Sequence, residues 1–399
     1  MDFKNYLVPG KTGLLIGIGG VSMSPLAEVL HDAGLDIRGS DMAESSNTLT
    51  LRERGIPIHI GHSADNVTDD ISFVIRTAAV HDDNPEVHEA HRRGIPVFER
   101  TQAWGALMRG YQNALCISGT HGKTTTTSMC THIMMAAEKD PTVMIGGTLP
   151  LLKACHRVGK GNTIIMESCE YYNSFLALNP TIAVVLNIEA DHLDFFKDLE
   201  DIKHSFRCFA ERVPAETGTV IANYDDANTM DALRGIARKV ITFGLNAKAD
   251  VYAQNIVHRG SVSEFDIYHR GNYFARVTLH VPGIHNVRNA LAATAAAIVL
   301  GVSPNAVKYG LAGFEGAGRR FDFKGKFQGA DLYDDYAHHP SELRALLDAV
   351  DTLNYQRTIV VFQPHTYSRT AKLFNDFVEQ LRRPTIVYLA EIYAAREKN

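Results

Sequence analysis

The segment NALCISGTHGKTTTTSM, residues 113–129, leaves few folds open. An apolar run of strand length enters a glycine turn, and a helix-length segment leaves it. That order places backbone N–H groups and the positive end of a helix dipole at the turn, facing an anion. The common mononucleotide pattern G-x-x-x-x-G-K-[ST] would need its first glycine at position 117, which is Ile117. The glycine stands at Gly119 instead, so the loop reads G-T-H-G-K-T and is tighter. Gly119 and Gly122 allow close backbone approach, with Thr120 and His121 between them. Lys123 supplies a mobile cation with no evident packing use. Thr124 offers a hydroxyl to Mg2+, with Thr125 beside it. The competing reading is a glycine turn capped by threonines. Threonines in a row are poor helix formers, and the lysine favours the phosphate.

Strand-length apolar runs alternate with amphipathic segments along the rest of the chain, the pattern of an α/β fold with parallel sheets. The first part, residues 1–110, holds TGLLIGIGG, LDIRGSD, ISFVIRTAAV and IPVFER as strands, with SPLAEVLHDAG and TQAWGALMRG as helices. The second, residues 111–314, adds the strands NTIIMES and TIAVVLN. It also has a hairpin in SVSEFDIYHRGNYFARVTLHV and a helix in HNVRNALAATAAAIVLG. The third, residues 315–399, begins near GFEGAGRRFD and carries the strands ADLYDDYA, RTIVVFQP and PTIVYLA.

Composition excludes several function classes. Of 399 residues, 45% are hydrophobic and 21% charged, a globular balance. The net charge is −5 and no long basic run suits nucleic acid. No apolar run is long enough to span a bilayer, and the N-terminus lacks a signal core. Five cysteines form no C-x-x-C pair, which predicts free, buried thiols in a reducing cytoplasm. HEAH at residues 88–91 is not H-E-x-x-H and reads as an exposed helix face.

Polar residues gather where the strands end, which is where α/β proteins place their chemistry. Glu167 ends one strand; Asn187, Glu189, Asp191, His192 and Asp194 follow another. Carboxylate and imidazole next to nucleotide phosphates suit Mg2+ or Mn2+, although strand ends collect polar residues anyway. Asn286 and Asn289 share one face of a helix start, either as ligand contacts or as caps. Arg319 and Arg320 lie on a glycine-rich turn between parts, from which an arginine can reach a phosphate. Asp334, Asp335, His338 and His339 follow one strand of the third part, and His365 and Arg369 another. At the N-terminus, GIGGVSMS has Ser22 where a dinucleotide fingerprint has its third glycine, and Asp41 stands near the place of a ribose-binding acid.

The motifs GIGGVSMS, GSDMAESSNT, SGTHGKTTTT, NIEADHLD, HNVRNALAA, GRRFDF, DDYAHHP, FQPHTYSRT and EIYAARE run in order nearly end to end. In them the chain resembles the Mur ligase family, ATP-dependent amide-forming enzymes of peptidoglycan synthesis, whose phosphate loop has this shortened form. The resemblance implies a three-domain α/β architecture: a Rossmann-like N-terminal domain, a central phosphate-loop ATPase and a Rossmann-like C-terminal domain. It implies UDP-N-acetylmuramate bound through Gly17, Gly19, Gly20, Ser22 and Asp41, and L-alanine recognised by His338, His365 and Arg369. Lys123 and Thr124 would grip ATP, with Thr124, Glu167 and His192 on Mg2+ (or Mn2+). Asn286 and Asn289 would lie on the adenine side, with Arg320 and Asp335 reaching ATP. Two departures stand out: Cys169 where relatives often have Asp, and Thr366 where many have Arg. Relatives continue past EIYAARE, which implies an incomplete third domain. A cytoplasmic monomer or weak homodimer is expected.

Overall fold

The computed structural model describes residues 2–77, 79–395 and 397. Its first unit is built on β1 (Thr12–Ile16), β2 (Asp36–Asp41), β3 (Ile58–Ile60), β4 (Ile71–Arg76) and β5 (Val97–Glu99). These form one sheet in the order β3-β2-β1-β4-β5, every pairing parallel. Leu14, Leu15 and Ile16 are completely buried, as expected of a strand covered on both faces. The covering helices are α1 (Ser24–Asp32), α2 (Ser46–Glu53), α3 (Pro85–Arg92) and α4 (Arg100–Met108). Pro25 opens α1 and Pro85 opens α3, where a missing N–H costs nothing. His88 and His91 are exposed on α3, as expected.

The second unit carries ten strands. In chain order they are β6 (Asn113–Ser118), β7 (Thr142–Leu149), β8 (Ala154–Arg157), β9 (Thr163–Glu167), β10 (Ile182–Val185), β11 (Thr219–Asn223), β12 (Lys239–Gly244), β13 (Val251–Arg259), β14 (Val262–His269) and β15 (Asn272–Leu279). Their spatial order is β15-β14-β13-β12-β11-β10-β6-β9-β7-β8. The interior strands pair in parallel, and β13, β14 and β15 add an antiparallel extension. Its helices are α5 (Lys123–Ala136), α6 (Leu199–Glu211), α7 (Ala227–Ala232), α8 (Ile284–Val299) and α9 (Pro304–Ala312). Alanines let α8 lie close to its neighbours, and its Val287 and Leu291 are fully buried. Each such side chain contributes roughly 1.5–3 kcal/mol relative to exposure.

The third unit has a hairpin, β16 (Asp322–Phe327) with β17 (Ala330–Asp334), and a parallel pair, β18 (Ile359–Phe362) with β19 (Ile386–Leu389). Helices α10 (Pro340–Asp351), α11 (Tyr367–Lys372) and α12 (Phe374–Leu381) accompany them. Its core cluster is small: Leu343, Phe362 and Phe377. Val361 and Leu389 stay 75% and 67% exposed, leaving apolar surface on strands that parallel pairing normally covers.

One sequence expectation needs correction. The cysteines are free, but only Cys116 and Cys130 are buried, whereas Cys169 is exposed at the end of β9. The threonine run is helical despite its propensity, and most of it is buried. Thr127 Oγ1 donates to the Lys123 carbonyl at 2.8 Å and Thr131 to that of Thr127, so these two hydroxyls find acceptors inside their own helix, whereas that of Thr126 is buried without a partner.

With so little buried apolar surface, the third unit should open first. In hydrogen exchange, amides of β18 and β19 should exchange at least ~100-fold faster than those of β6, β10 and β11. Equal protection of the two sheets would contradict this.

Candidate active site

Strand β6 runs between β10 and β9, and the sheet's connections leave it in opposite directions. A crevice opens at such a switch point, outside the carboxyl ends of the strands. The G-T-H-G-K-T loop sits there. Gly119 has φ 146° and Gly122 φ 84°, both left-handed. A Cβ on Gly122 would also lie 2.7 Å from Asn289 Oδ1. Asn187, just beyond β10, holds the loop on both sides: its Oδ1 accepts from the His121 amide (2.8 Å), and its Nδ2 donates to the His121 carbonyl (3.1 Å).

Lys123 is not the unpartnered cation that the sequence suggests. Its Nζ lies 3.1 Å from Glu170 Oε2 and donates to the Thr120 carbonyl. Burial alone would push this ammonium down, but Glu170, Cys169 and Glu167 outweigh burial and hold its pKa above the ordinary lysine value. Glu170 is 2% exposed. Sequence reasoning passed over it, although it stands one turn beyond Glu167. Thr124 Oγ1 donates to Glu167 Oε1 at 3.0 Å, and the Gly146 amide donates to Glu167 Oε2. His192 stacks on Tyr171 at 4.4 Å, and its Nε2 lies 3.7 Å from Glu170. Burial lowers the His192 pKa despite Asp191 and Glu170, favouring the neutral imidazole that ligates metals. Hydroxyl, carboxylate and imidazole on one cleft wall therefore fit a hard divalent cation.

His121 points the other way, into the third unit. Its Nε2 lies 3.3 Å from Glu189 and its Nδ1 3.2 Å from Glu342 of α10. Ser341 also donates to Glu189. Burial opposes protonation, yet Glu189 and Glu342 raise the His121 pKa to about 9, while Glu189 falls to about 2. His121, Glu189 and His339 offer ligand atoms within 4.8 Å of one another. Both ring nitrogens of His121 already face carboxylates, and His339 Nδ1 accepts from the Ser341 amide at 3.3 Å. His121 and Glu189 are thus ion-paired, whereas burial keeps His339 toward the neutral ring and its Nε2 is buried without a hydrogen-bond partner.

Arg369, 9% exposed, is bound by Asp191: Nε and Nη2 both donate to Oδ1, at 3.0 and 2.8 Å. Burial would raise the Asp191 carboxyl, but His192 and Arg369 hold it well below the usual range. Arg369 Nη1 lies 3.0 Å from His365 Nδ1, and His338 is next to His365. Asp335 accepts from the amides of Phe321 (2.7 Å) and Ala337 (2.8 Å), shaping the linker turn from which Arg320 extends. His192, Arg319, Phe321 and Thr366 all have φ between 51° and 67°. Such strain collects at functional clefts.

Two cavities flank the loop. One of about 620 Å3 is lined by Asn286, Asn289, His285, Asp225, Phe314 and Asp335, among others. Burial brings His285 down to about 4, so its ring is neutral. Helix α8 has no side-chain cap hydrogen bond, so neither asparagine serves as its cap. The second cavity, of about 400 Å3, brings together Lys123, Thr124, Glu167, His192, His338, His365 and Arg369. His121, Gly122, Arg320 and Glu342 line both. Residues 17–22 line neither. They lie at the end of β1, where the Gly19 amide donates to Asp41 Oδ2 at 2.8 Å. Gly17 turns with φ 78°, the Gly20 amide donates to the Gly17 carbonyl, and the Ser22 carbonyl receives Trp104.

Comparison with known proteins gives three consecutive family matches: "Mur ligase family, catalytic domain" over residues 15–112, "Mur ligase middle domain" over 117–297, and "Mur ligase, glutamate ligase domain" over 319–398. The UDP-N-acetylmuramate–L-alanine ligase of Agathobacter rectalis is 47% identical, covering 96% of this chain and 84% of the relative. The enzyme so named from Clostridium novyi is 45% identical, covering 100% and 86%. Among solved structures, the UDP-N-acetylmuramate–alanine ligase of Thermotoga maritima superposes with a TM-score of 0.79 at 31% identity, covering 96% of this chain and 85% of that one.

The raised pKa of His121 sets a direction with pH. Relative to an unfolded value near 6.5, its stabilising contribution is complete below about 6.5 and is lost as pH rises through about 9. An imidazole NMR titration should show His121 protonated at neutral pH and losing its proton near 9. A midpoint at or below 6.5 would refute the paired geometry.

Proposed function

The chain belongs to the Mur ligase family, and we infer that it is an ATP-dependent ligase joining L-alanine to UDP-N-acetylmuramate in peptidoglycan biosynthesis. The observation that carries this reading is the 47% identity to a ligase of that name across 96% of the chain. The γ-phosphoryl group of ATP passes to the muramyl carboxylate, giving an acyl phosphate and ADP. The alanine amine then attacks the acyl carbon, and the tetrahedral intermediate releases phosphate as the amide forms. Charge moves at the phosphate throughout, so positioned cations carry most of the catalysis.

On this reading Gly119, Thr120, His121, Gly122, Thr124 and Thr125 cradle the phosphates, and Lys123 exchanges Glu170 for phosphate oxygens. Thr124, Glu167 and His192 would hold Mg2+ (Mn2+ can substitute), which when bound neutralises phosphate charge. Arg320 reaches the phosphates from the linker. The nucleoside occupies the larger cavity, with Asn286 and Asn289 at its wall, and Asp335 keeps the linker turn in place. Arg369 offers Nη1 to the alanine carboxylate, displacing His365, while Asp191 fixes the rest of the guanidinium. Residues 17–22 and Asp41 take the UDP moiety. We place the divisions between the three domains near residues 110 and 314. Substrates that are soluble nucleotides suit a cytoplasmic enzyme, acting as a monomer or weak homodimer.

The test is phosphate release from ATP. Release should require both UDP-N-acetylmuramate and alanine. Release with a preformed murein tripeptide but not with alanine would instead indicate a tripeptide ligase; the UDP-N-acetylmuramate:L-alanyl-gamma-D-glutamyl-meso-diaminopimelate ligase of Neisseria meningitides has a related structure (TM-score 0.69, 26% identity, covering 77% of this chain and 99% of that one).

Two substitutions probe the roles. Lys123→Ala would leave buried Glu170 without its partner, which is itself destabilising. The double variant Lys123→Met/Glu170→Gln avoids this and should lose on the order of 10²–10³ in rate; a folded variant with normal turnover would refute the role. Arg369→Ala should raise the KM for alanine roughly thirtyfold, about 2 kcal/mol, and those for ATP and UDP-N-acetylmuramate far less. An unchanged alanine KM would remove Arg369 from that site.

A further inference from the structure

Glu342 belongs to none of the roles above, yet it lines both cavities. Its two oxygens divide their work. Oε2 is local: it accepts the amides of His338 (2.9 Å) and His339 (3.3 Å), and thereby closes the N-terminus of α10. Oε1 reaches outward. It lies 3.2 Å from Nδ1 of His121 in the phosphate loop and 3.9 Å from Nη1 of Arg320 in the linker. The side chain is only 13% exposed. A carboxylate so placed needs its cations, because an unpaired buried charge is costly. Glu342 also stands where both cavities meet, at the waist between the nucleoside side and the reacting side.

We propose that Glu342 is a positioning residue: its outward oxygen holds the third unit against the phosphate loop, so that docking of that unit and the conformation of the loop are coupled. This rests on the reading of the loop as a nucleotide site. His121 transmits the contact, since its own amide and carbonyl are both held by Asn187. The groups that face His121 are Glu189 beyond β10, and Glu342 and His339 around the start of α10, with Ser341 donating to Glu189. Glu342 in turn faces His338 and Arg320. Removing the Glu342 charge leaves Glu189 on His121 but severs the ionic link between this ring and α10. It also leaves Arg320 without its carboxylate. A helix cap alone would have no such reach, because glutamine serves in a capping box as well as glutamate.

The experiment compares the wild-type chain with Glu342→Gln by hydrogen exchange without nucleotide. Exchange in residues 119–124, which belong to the second unit, should rise about tenfold, while α10 amides keep their protection. The reciprocal variant, His121→Gln, should raise exchange in residues 338–343 of the third unit, which keeps the test valid if Glu342→Gln folds poorly. In turnover, Glu342→Gln should lower kcat about tenfold with the ATP KM changed by less than threefold, because closure rather than binding is impaired. Unchanged exchange at 119–124, or loss of protection confined to α10, would overturn the proposal. ATP binding is measured in parallel on the wild-type chain. If no ATP binds, the nucleotide reading fails while the exchange result still decides the coupling. If ATP binds and the two segments exchange independently, the coupling alone fails.

Discussion

Three cations of the cleft are held by carboxylates of the protein: Lys123 by Glu170, His121 by Glu189 and Glu342, and Arg369 by Asp191. The rest of the site depends on this pairing. Burying a charge costs more than its partner usually returns, whereas removing one partner of a buried pair costs about 3–5 kcal/mol. Such pairs are weak stabilisers and strong locators. Two of them cross the cleft in opposite senses. His121 of the second unit meets Glu342 of the third, and Asp191 of the second meets Arg369 of the third. Sliding one unit past the other would break both at once.

The same pairing explains how a site built for anions is stable without them. Glu170 stands against the lysine assigned to phosphate, and Asp191 against the arginine assigned to a carboxylate. Each internal carboxylate covers a cation that ligand binding would engage. At Lys123 binding is then an exchange of Glu170 for phosphate oxygens, whereas Arg369 keeps Asp191 and gives up His365, so much of the desolvation of both cations is met during folding. Specificity follows from geometry. Arg369 keeps Asp191 on Nε and Nη2, and only Nη1 faces outward toward His365.

Backbone strain is placed along the same surface. His192 and Thr366 adopt left-handed conformations that glycine would take more easily. Both sit where a strand end or helix start must turn into the cleft. Thr366 caps α11, its Oγ1 facing the Arg369 amide at 3.5 Å. The strain aims side chains at the cleft, and the surrounding sheet and helix hydrogen bonds hold it in place.

The architecture was legible in the chain because its signals are local. Apolar runs of strand length, glycine at the turn into α5, and proline at helix starts depend only on near neighbours. So did the convergence of Lys123, Thr124, Glu167 and His192, since parallel strands present their carboxyl ends together. Strand β3, three residues long, carried too few residues for a pattern to show. The helix expected after the turn forms through the threonine run despite its low propensity. Lys123 looked unpartnered because Glu170 lies 47 positions away, and exposure of Cys169 follows from where β9 ends. Glu342 drew no notice in the sequence, because its hold on His121 spans 221 positions. Local periodicity and turn chemistry thus determined the elements and the end of the sheet that carries the chemistry. Which charge answers which across the cleft was decided only by tertiary structure, because ion pairing follows distance in space and no rule of spacing along the chain encodes it.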